Sequence, residues 1–154
     1  MPALATVGRI LFSILFIVSG VFKFSDLSAM TQMVAAKIIV PADLSAYTAQ
    51  LEAAVGMPFA QILVIASGIF EIVAGLMIAL NFGARFFAAL MILFIGATIF
   101  YFHDFWNMAE GDRATNMFQA LKNLSLIGGL FMIMGTPRVR VAPAAVETGY
   151  DPQI

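Results

Sequence analysis

Ionisable side chains are rare in this sequence, and several sit where an apolar run should not contain them. Charged residues make up 11% of the 154 positions and apolar residues 62%, so each charge is conspicuous. Glu71 lies in the middle of the run "PFAQILVIASGIFEIVAGLMIAL", and Arg9 lies a few residues into an earlier run of the same kind. An ionised carboxylate in hydrocarbon must find a cation, take up a proton, or face a hydrated cavity. Counted by depth along their helices, Arg9 and Glu71 are expected to form an intramembrane ion pair if the two helices touch. Two roles are open for that carboxylate: a clamp between helices, or a group that handles a proton or orients a bound molecule.

A second group sits at the opposite ends of the runs. His103 and Asp104 follow the run "ARFFAALMILFIGATIFYF", Lys23 closes the first run, and Lys122 and Asn123 lie early in the last. All five fall at one level, which makes an outer-facing polar pocket geometrically feasible. An imidazole titrates near neutral pH, and beside cations and a carboxylate it suits binding or protonating a polar quinone oxygen. A plainer account is available for "IFYFHDFWN". Tyr101 and Trp106 concentrate where apolar rings meet headgroups, Arg85 does the same at a helix start, and all three serve as interface anchors. Lys122 can snorkel to the interface, whereas Asn123 cannot reach as far and needs a partner in another helix or a ligand.

These residues must be positioned by helices in lipid. The mean hydropathy of +0.97 is far above that of a soluble domain, which is about a quarter charged. Four apolar segments, at about 4–22, 58–80, 84–102 and 117–135, are long enough to cross a bilayer. Backbone groups in lipid must be paired within their own segment, so helices are expected. The fold class is therefore an all-α membrane protein: an antiparallel bundle of four transmembrane helices, residues 1–136, followed by a polar tail at 137–154. "NFG" at 81–83 is a tight turn, while 24–57 is a long outer loop in which "SDLSAMTQMVAAK" reads as an amphipathic helix capped by Ser25. Gly68, Gly75 and the Gly128–Gly129 pair are the positions expected to allow close helix contact.

Arg9, Arg85, Arg138 and Arg140 flank short segments on one side, and Lys23, Lys37, Arg113 and Lys122 lie on the other. That distribution favours both termini in the cytoplasm. Cysteine is absent and histidine occurs once, which removes disulfides, thiol exchange, iron–sulfur clusters and multi-histidine metal sites; no metal is expected. A net charge of −1 argues against nucleic acid as a partner. The 10 methionines are scattered along the chain, in the later runs and the first loop, a pattern of pliable packing rather than copper capture.

Taken together, "GRILFSILFIVSGVFKF", "KIIVP", "FEIVAGLMIALNFGARFFAALMILF", "FHDFW" and "LKNLSLIGGL" resemble the DoxX family of small four-helix membrane proteins, in the family's order, over about residues 7–135. The resemblance implies a prokaryotic cytoplasmic membrane protein and a small partner of a redox system that touches the quinone pool, because relatives include the membrane subunit of a thiosulfate:quinone oxidoreductase. Arg9, Lys23, Glu71, Arg85, His103, Trp106, Lys122 and Asn123 are the positions that carry over. A cysteine-bearing relative in amine dehydrogenase maturation works by thiol chemistry, which this chain lacks. Three functions are thereby in play. The first is a redox-linked subunit that binds quinone or anchors an oxidoreductase. The others are a purely structural accessory subunit, which with the first predicts a protein partner or a homo-oligomer, and a small-molecule carrier.

Overall fold

The computed structural model describes residues 2–136; Arg138, Arg140 and the predicted tail lie outside the described residues. Within that range the regular structure is all helix, joined by short turns. The helices are α1 (Pro2–Ser25), α2 (Leu27–Lys37), α3 (Ala42–Val55), α4 (Phe59–Ala79), α5 (Ala84–Phe102) and α6 (Glu110–Gly135), with a 3-10 turn at Phe105–Asn107 before α6. Four of them, α1, α4, α5 and α6, are long and apolar enough to cross a membrane.

The four long helices start and stop close to the hydropathy boundaries, with one departure. The last begins at Glu110, because the polar stretch "EGDRATN" forms its first two turns ahead of the apolar run. Glu110 and Asp112 in that first turn favour the helix, since acids complement the free N–H groups there.

The expected outer loop is itself folded. It holds two helices rather than one, and Asp26 rather than Ser25 caps the first, its Oδ1 accepting from the Ala29 N–H at 3.0 Å. The second, "ADLSAYTAQLEAAV", has no buried residue, and its many alanines blur the contrast between its faces. It ends at Gly56, whose φ of +73° closes the helix in the left-handed conformation glycine tolerates. Glu52, in the last turn of α3, reaches forward and accepts from the Phe59 N–H at 2.6 Å. One side chain thus caps the helix that follows its own.

α1 packs chiefly on α4, and α5 chiefly on α6, with α4 and α5 joined by the short turn and α2 lying against α4. A Cβ placed on Gly20 would lie 2.6 Å from the Gly68 carbonyl oxygen and 2.7 Å from Ile72; one on Gly75 would lie 2.9 Å from Ile17 and 3.3 Å from the Ser13 carbonyl. Numbers rise along α4 as they fall along α1, and the helix backbones approach because these positions carry no side chain. Gly129 plays the same part against Phe12 at 2.8 Å, whereas Gly128 has no neighbour within 4 Å. Where these helices meet, Phe16, Ala74, Ile78, Ala88, Met91, Ile95 and Leu130 form the buried core. Large apolar side chains on the outer faces, such as Leu93 and Met132, are exposed at 70% and 77%, as expected of surfaces that lipid covers.

Candidate functional site

The close approach of α1 and α4 decides which cation Glu71 meets. Gly20 touches Gly68 and Ile72, so one further turn of α1 brings Lys23 over the same stretch of α4. Long side chains on a helix lean toward its N-terminus, and Lys23 therefore reaches back toward the middle of the bundle. Its Nζ lies 2.7 Å from Glu71 Oε1 and 5.6 Å from the centre of the Phe94 ring. The expected Glu71–Arg9 pair is thus replaced by Glu71–Lys23. Counting depth from the helix starts ignored register: Arg9 lies a turn beyond Ser13, past the level of Gly75. There its guanidinium donates to Thr6 Oγ1 at 3.2 Å, and its Nε is buried without a partner among the described residues.

The pair borders a cavity of about 480 Å³. Leu15 and Phe16 from α1, Leu63 and Val64 from α4, Phe94 and Ile95 from α5, and Leu126 from α6 give it apolar walls. Met30, Met33 and Val34, the apolar stripe of α2, together with Ile38 just after it, form another side. Polar groups interrupt this surface at Lys23, Glu71, Ser67, Thr98, His103, Lys122 and Asn123. Glu71 is 5% exposed, so its carboxylate is held in a largely apolar surround.

Of the five residues expected at the outer level, Lys23, His103, Lys122 and Asn123 all line this one cavity. Asp104 does not. Its Oδ1 accepts from Lys37 Nζ at 3.1 Å, which ties the end of α2 to the end of α5. Tyr101 and Trp106 are exposed at 45% and 47%, stacked edge-on against Phe100 and Phe105 respectively, and Tyr101 also touches the cavity. Arg85 donates to the Thr136 carbonyl at 2.6 Å and so joins the start of α5 to the end of α6.

His103 has a defined orientation. Asn116 Nδ2 donates to the Asp112 carbonyl at 3.1 Å, which turns Asn116 Oδ1 toward the ring, 3.1 Å from His103 Nδ1. An amide oxygen only accepts, so Nδ1 carries the proton, and in the neutral ring Nε2 keeps its lone pair. Two further hydroxyls on the cavity wall are turned back onto their own helices: Ser67 Oγ donates to the Val64 carbonyl at 2.9 Å and Thr98 Oγ1 to the Phe94 carbonyl at 3.0 Å. Sequence reading missed Ser67, Thr98 and Asn116. The first two carried a signal, since each is a hydroxyl within an apolar run, one turn from Glu71 or Phe94 on the same helix.

This arrangement can hold an elongated apolar molecule with its polar end near an ion pair.

The chain is 25% identical over 132 residues to an inner membrane protein of Escherichia coli strain K12, YphA, covering 86% of this chain and 81% of that one. No solved structure gives a significant match. The profile of the family described as DoxX matches residues 4–104, which takes in α1 through α5 and both partners of the Lys23–Glu71 pair. The chain belongs to the DoxX family.

Proposed function

We propose that this protein is a small integral subunit of a membrane redox system and that its cavity holds a lipophilic molecule of the quinone class. The observation that supports this reading is the 480 Å³ cavity, apolar along its walls and polar where Lys23, Glu71 and His103 enter it. A site of this size with few, convergent polar groups is of the kind that orients a small molecule. Catalysis then resides in a partner, because a quinone supplies the electron chemistry and the protein supplies binding and orientation. The bundle is antiparallel, with both termini in the cytoplasm, and the inner membrane location of the E. coli relative supports the same compartment here.

A second reading, an accessory subunit without a ligand, is favoured by α3. Its Leu44, Tyr47, Leu51 and Val55 recur at helical spacing and are all exposed, a face that suits a partner protein or a second copy of the chain. Extraction in mild detergent, followed by mass spectrometry of both co-purifying lipophiles and proteins, separates the readings. Stoichiometric quinone supports the first. A reproducible protein partner with an empty cavity supports the second, and a lone chain that moves a solute in proteoliposomes overturns both in favour of a carrier.

A further inference from the structure

Lys122 and Asn123 bring donors to the cavity wall, but the buried lining group left without a partner among the described residues is an acceptor, Glu71 Oε2. Ser67 and Thr98 have spent their protons on their own helices, leaving lone pairs for anything in the cavity. His103 has spent Nδ1–H on Asn116, and in the neutral ring Nε2 keeps a lone pair. Glu71 uses Oε1 on Lys23, and its Oε2, enclosed away from water, has no partner among the described residues. A carboxylate oxygen without a donor is costly in an apolar surround, and the broad terminal torsion of Glu lets Oε2 turn to meet a donor brought into the cavity. Beside it, the Lys23 ammonium has three N–H groups and gives one to Glu71.

From this we infer that the site selects a molecule whose polar head donates a hydrogen bond: a lipophilic phenol or hydroquinone, in preference to the matching ether or quinone. One hydroxyl placed at the pair gives its proton to Glu71 Oε2 and accepts from Lys23 with its lone pair, so both partners are satisfied together. A quinone carbonyl accepts from Lys23 but leaves Glu71 Oε2 as it was. On this inference the reduced form of the pool is the one held, with its tail between the apolar walls. The inference rests on the cavity being a ligand site, and the test separates the two.

The test uses the full chain in phosphatidylcholine nanodiscs, titrated calorimetrically with 4-nonylphenol and with 4-nonylanisole, empty discs correcting for partition into lipid. The two probes differ by O–H against O–CH₃. The phenol is expected to bind at least about tenfold more tightly, the effect of one hydrogen bond to a charged group. Decylhydroquinone should show the same advantage over decylbenzoquinone under anaerobic conditions. In Glu71→Gln the advantage should fall below about threefold, since a neutral amide gives a weaker acceptor and brings donors of its own. Equal affinities, or a tighter anisole, overturn the inference and leave the cavity reading standing. Binding of none of the probes overturns the cavity reading itself. If Glu71→Gln fails to fold, the paired titrations of the unaltered protein still decide.

Discussion

Replacing Gly20 with alanine tests the helix contact on which the site depends. The added Cβ would lie 2.6 Å from the Gly68 carbonyl oxygen and 2.7 Å from Ile72 Cγ1. Carbon and carbonyl oxygen pack at about 3.3 Å or more, so α1 and α4 must separate by roughly 0.7 Å. Ile72 can turn aside, but the Gly68 carbonyl is backbone and cannot. Overpacking of this kind costs about 1–3 kcal/mol. Set against it is the gain from alanine over glycine in a helix, up to about 1 kcal/mol. Gly96→Ala in α5 is the matched control, because no atom lies within 4 Å of its Cβ position and only the propensity gain applies. The two variants should therefore differ by about 2 kcal/mol, or roughly thirtyfold in the unfolding constant. The measurement is reversible unfolding by sodium dodecyl sulfate in mixed micelles, followed by fluorescence, for which the single tryptophan gives one unambiguous signal. The same separation strains the 2.7 Å Lys23–Glu71 pair, so Gly20→Ala should also weaken 4-nonylphenol binding. Equal stability of Gly20→Ala and Gly96→Ala would refute the reasoning, because the steric argument would then have no energetic consequence.

Other perturbations follow from single contacts. Lys23→Met leaves Glu71 buried without its cation and should destabilise by about 3–5 kcal/mol, whereas adding Glu71→Gln should recover most of that loss in a double-mutant cycle. Arg9→Ala should show no coupling to Glu71→Gln in the same measurement; coupling above about 0.5 kcal/mol would contradict the observed pairing. Lys37→Ala removes an ion pair that is open to solvent and should lower stability only slightly, with the difference shrinking in 0.5 M salt. Gly56→Ala forces a Cβ into the left-handed region and should cost about 1–2 kcal/mol, read as faster amide exchange in the last turn of α3.

The four crossings were legible because hydropathy and length alone specify them. What the sequence left ambiguous was register. Depth counting paired Arg9 with Glu71, since both lie a measurable distance from their helix starts; the choice of Lys23 came from Gly20, a residue whose role appears only when two helices are laid together. Gly68 and Gly75 were identifiable as small residues within an apolar run, but the same logic chose Gly128, which touches nothing. A glycine's sequence context is the same on a packed face and on a lipid face. The segment between α1 and α4 was legible only in its first half, where Leu27, Met30, Met33 and Val34 form an apolar stripe. In α3, many alanines blur the apolar pattern, so propensity more than periodicity carries it. The cavity's polar residues were individually visible, and the separation of Asp104 from the rest was not, because its partner Lys37 lies 67 positions away.

The Lys23–Glu71 pair also bears on how the chain is made. Synthesis runs from the N-terminus, so α1 enters the bilayer with Lys23 at its trailing end, where the long side chain can still reach headgroups and water. α4 follows with Glu71 in mid-helix, a placement that costs about 3 kcal/mol for an unpaired acid. By then the cation that neutralises it is already in the membrane. Order of emergence gives the last-arriving charge a waiting partner, and it makes α1 the template onto which α4 inserts.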